Sequence, residues 1–439
     1  MLKRFARGTL AAALVLLLVA MNAFDEDVHP EVKAYLEARP PAVPDERNGY
    51  FHVVGLAAAD AAPHAAGRQY VAAVTRAQEA RLAGQKAQWP RLEERVPVQL
   101  GSDVCAMDSG APCLERVRAD PGSARRLLAE HALLLERYRA LLEYPEYLET
   151  QRLLHYEMPL PTYLPLVTGQ RLFHVQAALR LQEGKALQVA YDLERSVKLS
   201  RRMLAGSATL LGKMVAVAHA RRAALFLSQM LPALARADRR ALGAVARTLA
   251  PLAPAERSLA PVYAAELALL ASALRSCESG EDALSCYFLQ PNATLNRHYQ
   301  TFHKPLLAAN AAPAHRFDEL RAAAVAPSLP WWSLLYNPVG KWRLAASAGA
   351  PAWDYVARMN DLEALFRLVS LQALIGERGL DAGEVPGFLA GNVKRYGDPY
   401  SAKAMGWDAA RRQLYFEPRG TPGLRSVGGV EKRFSAGLI

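Results

Sequence analysis

The sequence predicts a mainly α-helical fold, an irregular array of helical hairpins ending in a small C-terminal β-hairpin. Three observations lead there. Apolar residues recur at helical spacing over most of the chain, Pro and Gly punctuate those stretches, and only residues 404–417 read as paired strands. Of 439 residues, 51% are hydrophobic and 22% charged, ordinary proportions for a chain that buries a core. That length suits two or three domains or one elongated helical array, and the composition excludes disorder over most of it.

The first element is apolar. Lys3, Arg4 and Arg7 precede an uncharged stretch, 8–24, and Asp25, Glu26 and Asp27 follow it. This charge order places the N-terminus in the cytoplasm and the bulk of the chain outside. At about 1.5 Å rise per residue the stretch spans roughly 25 Å, the short end of what crosses a bilayer. Two readings stand. A signal peptide cut after Ala23 would place Met21 at the −3 position, where a small residue is wanted. An uncleaved anchor needs no such site, and Arg7 can snorkel to lengthen the span. The anchor is preferred. No cysteine lies nearby, so a lipoprotein anchor is excluded. The next most apolar stretch, 210–231, carries Lys213, His219, Arg221 and Arg222, too many charges for a second span. The expectation is a single-pass inner-membrane protein with its C-terminal bulk in the periplasm.

Residues 25–66 read as an extended lead. Arg39-Pro40-Pro41 and Val43-Pro44 block helix there, and 49–55 reads as a short strand. A helical-hairpin domain then runs over 67–326. Its clearest helix, 123–144, has Asp120-Pro121-Gly122-Ser123 as start signal and an apolar stripe that includes His131. His131 is expected to be a core residue without a ligand. Helices follow over 172–183, 186–206, 207–234, 237–249, 255–276 and 315–325, with Gly184 ending the first. Their succession is similar to tetratricopeptide-type hairpins, but no repeat near that period is present. Residues 327–352 form a Pro-rich linker carrying Trp331, Trp332, Tyr336 and Trp342. These four aromatics are a candidate interaction patch for a membrane or a partner. The preferred reading packs them on the helical body, because aromatic rings carry much burial energy. The 353–439 segment holds a last long helix to about 377, then strands at 404–407 and 413–417, and a frayed tail after Pro418.

Cys105 and Cys113 form one close pair, Cys277 and Cys286 another. In an exported chain, two local disulfides are expected. Their spacings do not fit zinc, and no metal or other cofactor is expected.

Several segments resemble those of a set of uncharacterised, membrane-anchored bacterial proteins with mostly helical exported regions. They are Asn48-Gly49-Tyr50 with Gly55-Leu56, the 290–296 segment QPNATLN, and the 337–341 segment NPVGK. The fullest is Asp398-Pro399-Tyr400-Ser401-Ala402-Lys403, leading through Trp407 to Leu414-Tyr415-Phe416-Glu417. It is similar to the Asp-Pro-Phe/Tyr-x-Gly-Lys-Pro-Leu-x-Tyr ending of many exported proteins, including some pseudopilins. Ala402 stands there for Gly, and Ala404 for Pro. The resemblance implies a membrane-anchored protein and a terminal hairpin, and carries no reaction.

The net charge is +11, with 42 of 53 basic residues Arg. Basic excess can steer a chain to nucleic acid or anionic polymer. Here the charge falls in isolated pairs such as Arg201/Arg202, without a basic run, and nucleic acid is not an expected partner. Gly206 to Lys213 superficially resembles a phosphate loop, but its spacing is one residue too long and Met214 replaces Ser/Thr. His298 and His303, five apart, fall on different faces of an α-helix. Glu143, Glu146 and Glu149 read as a solvated helix face. No catalytic residue is assigned. The expected function is a non-catalytic, membrane-tethered scaffold with an envelope-protein partner. The alternative is an exported cell-wall hydrolase whose acid/base carboxylates are scattered.

Overall fold

A computed structural model of the chain describes residues 13, 16–38, 42–59, 61–100, 105, 113–152, 154–275, 283–324, 330–347, 352–420 and 434–438. The fold is mainly α, with one small antiparallel sheet near the C-terminus. Helix Ala352–Arg378 lies at its centre and is buried on nearly every side from Val356 to Gly376. Leu210–Ala237 and Arg240–Thr248 pack along it, and Ala186–Gly206 pairs with Leu210–Ala237 as a hairpin. A helix buried all round must satisfy its polar residues internally. Gln372 exchanges hydrogen bonds with Ser228, and the Ser370 hydroxyl donates to Leu249 O at 2.8 Å.

The helices expected over 172–249 are present with shifted ends, and the one expected over 255–276 is two, Pro254–Arg257 and Ala260–Arg275. Leu164–Gln182 starts earlier and ends before Gly184, whose φ of +75° suits only glycine comfortably. The 123–144 helix is two, Pro121–Glu130 and Ala132–Leu141. They break at His131, which is buried with its Nδ1 at 3.2 Å from Pro97 O. The interruption is slight, because His131 N still donates to Leu127 O at 3.2 Å and its carbonyl accepts from Leu135 N at 3.1 Å.

The lead at 25–66 departs further from expectation. It contains helix Pro30–Glu37, and the expected strand at 49–55 is helix Gly49–Val54. Asn48 caps that helix by accepting from Tyr50 N, and all six helical residues are buried. The crossing with Pro63–Leu82 is so close that a Cβ on Gly55 would lie 2.7 Å from Gly67 N. Close packing of a Gly-bounded apolar segment therefore overrides its β-prone composition. One core joins this helix to the central ones and to the sheet, from Tyr50 to Ala436. A smaller core sets Val32 against Leu267, Leu274 and Leu295. The 327–352 linker is also more ordered than expected, with a 3₁₀ turn Trp331–Leu335 and helix Pro338–Ser347.

The C-terminal hairpin forms as expected. Strand β1 (Gly406–Asp408) pairs with β2 (Gln413–Phe416), Trp407 opposite Leu414. The tail is not simply frayed: β3 (Phe434–Gly437) adds to β2, and Gln372 Nε2 donates to Gly437 O at 2.5 Å. Residues 421–433 lie outside the described residues. Cys105 and Cys113 are disulfide-bonded, with Cα atoms 4.3 Å apart. Cys286 is also in a disulfide, while Cys277 lies outside the described residues. Among the described residues no helix is long and apolar enough to cross a membrane; residues 1–12, 14 and 15 are outside that set.

Several histidines are buried uncharged. Burial pushes His174 down to about 3, helped by Arg222, and His303 to about 3, helped by His298. It pushes His52 and His298 to about 4. Only the unfolded chain takes up these protons near pH 6. Stability is therefore full above the unfolded histidine value and falls as pH drops toward the folded values. Chemical denaturation at pH 7.5 and at pH 5.5 should show a loss of about 1 kcal/mol per buried histidine. An unfolding free energy unchanged over that interval would contradict neutral burial.

Candidate functional site

The most ionic part of the core is built around Glu149. The segment after Tyr144 runs extended past the end of helix Ala186–Gly206, and Glu149 N donates to Gly206 O at 2.9 Å. This brings the Glu149 carboxylate under the N-terminus of Leu210–Ala237. It accepts from Thr209 N at 2.7 Å, Ala208 N at 2.9 Å, Thr209 Oγ1 at 3.0 Å and Tyr163 Oη at 2.8 Å. Thr209 also caps the helix through Gly212 N. A helix N-terminus is a ready anion site. The sequence that resembles a phosphate loop thus does hold an anion, and the anion is the chain's own Glu149. Gly212 is required here, because a Cβ would collide with the Glu149 carboxylate. The solvated-face expectation fails for Glu149, which is only 2% exposed. Glu143 is exposed, just past the end of helix Ala132–Leu141, whereas Glu146 lies part-exposed in the extended segment, off any helix, and pairs with Arg47 at 2.7 Å. Burial pushes the Glu149 carboxyl up, against the four donors that pull it down.

One turn on, Lys213 is buried and donates Nζ to Glu256 O at 2.8 Å and to Leu204 O. Burial pulls its ammonium down to about 8, while the Glu256 and Glu149 carboxylates oppose that. Glu256 itself pairs with Arg201 through two 2.8 Å bonds. Farther off, Asp361 accepts from Tyr400 Oη at 2.6 Å and from Arg419 N and Gly420 N at 2.9 Å. Tyr400 belongs to the Asp-Pro-Tyr motif, so that motif fastens the terminal hairpin onto the central helix. Glu363 accepts from Leu252 N at 2.6 Å and from Arg367 Nε at 2.7 Å.

His298 and His303 do not fall on different faces as expected. The chain between them, Tyr299–His303, is π-helical, and that wider turn brings residues five apart together. Their rings lie edge to face at 4.8 Å. Sequence periodicity assumes a uniform α-helix and so misses this. Among the described residues, no three His, Cys, Asp or Glu are grouped so as to hold a metal.

A second polar knot lies where the apolar N-terminal stretch meets the body. Asn22 is 3% exposed. Its Nδ2 donates to Leu335 O at 2.8 Å, its Oδ1 accepts from Asn337 N at 2.8 Å, and its carbonyl accepts from Gln290 Nε2 at 2.8 Å. Asn337 continues the chain of bonds. Its Oδ1 accepts from Gln290 N at 3.0 Å, and its Nδ2 donates to Thr294 Oγ1 at 2.9 Å. Its φ of +52° is a left-handed conformation that Asn tolerates better than most residues. Asp25 then caps helix Pro291–His298 through Asn292 N at 2.7 Å and Ala293 N at 3.0 Å. The QPNATLN and NPVGK segments, far apart in sequence, are therefore two halves of one joint closed by Asn22. Neither Asn22 nor Glu149 carried a spacing signal; a polar residue ending an apolar run was the only hint of Asn22.

The four candidate aromatics lie on the two segments that flank Asn337, the turn Trp331–Leu335 with Tyr336 and the helix Pro338–Ser347. Tyr336 is half-buried, with the Lys341 ammonium 5.6 Å from its ring centroid. Trp331, Trp332 and Trp342 do not pack on the body as expected; they are 73%, 60% and 70% exposed. The short 3₁₀ turn that carries Trp331 and Trp332 turns their rings outward while its carbonyls are held by Lys341.

Replacing Glu149 by alanine strands the Thr209 and Ala208 amides and two hydroxyls in the core. Glu149→Ala should lower the unfolding free energy by about 3 kcal/mol, read from denaturant titration. A loss below about 0.5 kcal/mol would mean that water replaces the carboxylate there. No family model, curated protein or solved structure matches this chain.

Proposed function

We propose that this chain is a single-pass, membrane-anchored helical scaffold whose exported body binds another envelope protein and performs no catalysis. The observation that carries the reading is the commitment of its buried ionisable groups. Glu149, Lys213, Glu256, Asp361 and Glu363 each bond to backbone or to an ion-pair partner within the fold. A general acid or base must instead exchange its proton with a substrate in reach. A hydrolase would need a carboxylate free to meet substrate in a cleft, whereas Glu149 and Glu256, which flank Lys213, and Asp361 and Glu363, which share the central helix, are each engaged by bonds within the fold.

Asn22 favours an anchor that is retained. Cleavage after Ala23 would remove Asn22 and leave Asn337 N and Leu335 O without that partner. Stranding buried backbone groups costs about 1–3 kcal/mol each.

In vivo crosslinking of the tagged chain, with mass spectrometry of the envelope fraction, tests the reading. The expected result is one reproducible protein partner and an intact chain of 48.0 kDa. Failure to recover any reproducible partner would overturn the scaffold reading, and a product beginning at Phe24 would overturn the retained anchor.

A further inference from the structure

We infer that Trp331, Trp332 and Trp342, with Leu334, Leu284 and Tyr287, form a collar that inserts into the headgroup region of the bilayer around the apolar stretch. The collar holds the body against the membrane surface in one orientation. This inference rests on the anchored reading above.

Three observations carry it. First, the collar and the end of the apolar stretch are one hydrogen-bonded piece. Tyr287 Oη donates to Val19 O at 2.8 Å, and Asn22 Nδ2 donates to Leu335 O, next to the tryptophan turn. No flexible linker separates them, because Asn22 and Asn337 are both buried in the joint. Second, large apolar side chains are exposed on both parts of this piece. On the stretch Leu16 is 68% exposed and Phe24 82%; on the body Leu284 is 64% exposed and Trp331, Trp332 and Trp342 are 73%, 60% and 70%. A soluble surface rarely groups large apolar side chains in this way. Third, the residue types fit an interface better than a dry protein contact. Tryptophan has an apolar body and one polar N–H, and belts of it sit at headgroup depth. Trp331 and Trp332 present their rings edge to face at 6.0 Å, so the patch offers both ring faces and edges.

Two of the acidic residues that follow the stretch bond to the body through their side chains. Asp25 is exposed and its carboxylate accepts from the first amides of the Pro291–His298 helix, and the Glu26 carboxylate is 3.3 Å from Asn296 Nδ2.

The full-length chain is reconstituted into phosphatidylethanolamine–phosphatidylglycerol vesicles that contain lipid brominated either near the carbonyl or near the methyl end of the acyl chain. Emission from the three residues is the difference between the native chain and the Trp331→Phe, Trp332→Phe, Trp342→Phe variant. These positions are exposed, so the variant keeps its core, and its circular dichroism should match. Carbonyl-proximal bromine should reduce the difference emission about twofold, and methyl-proximal bromine should reduce it less. Vesicle-bound protein whose difference emission is unquenched by either lipid would overturn the collar and leave the anchor standing. Protein that does not float with vesicles would overturn the anchor itself. Quenching that appears only near the methyl end would place the rings too deep and would also overturn the collar. A photocrosslinker at Trp331 that captures one protein, with no lipid quenching, would assign the patch to that protein instead.

Discussion

Helix ends govern this structure. Each α-helix leaves four N–H groups without an intrahelical partner, and an array of many short helices multiplies them. Where the ends are buried, water cannot serve. This chain supplies side-chain oxygens from distant parts of the sequence. Glu149 serves Leu210–Ala237, Asp25 serves Pro291–His298, Glu363 serves Leu252 N, and Asn310 serves Leu259 N at 2.8 Å. Asn48 does double duty, capping its own helix and accepting from Leu148 N at 2.9 Å. Each such bond fixes two elements at once, so an array without a repeating unit still adopts one arrangement.

The same constraint gives the resembling segments a physical meaning. Asn48-Gly49-Tyr50, QPNATLN, NPVGK and Asp398-Pro399-Tyr400 all sit at joints. Three of them place an Asn or Asp oxygen on a buried backbone N–H, and Tyr400 reaches Asp361. Their polar character is structural, which accords with a resemblance that carries no reaction.

Much of the helical array was legible in the sequence, for particular reasons. Helix Ala186–Gly206 buries one face, so its periodicity shows its limits. The Gly184 stop and the terminal hairpin were legible because each is encoded within a few residues. What was missed depended on distant partners. The strand expected at 49–55 is helical because Gly55 and Gly67 allow helix packing closer than composition reveals. The pairing of β3 and the burial of Glu149 each rest on a residue far away in sequence. The aromatic patch was located but its packing was misjudged. Burial energy argues for covering tryptophan, yet says nothing about whether the fold or a surrounding phase supplies the cover.

The central claim is that long-range side-chain caps, more than any single helix hairpin, hold the array together. Native-state hydrogen exchange tests it most directly. The amides of Ala208, Thr209, Leu252, Leu259, Gln290 and Asn337 each donate to a side chain at least 47 positions away. The account predicts that they exchange only through the global opening that also exposes the Ala352–Arg378 helix. If they exchange through local openings, well before that helix does, the caps are incidental and the account is wrong.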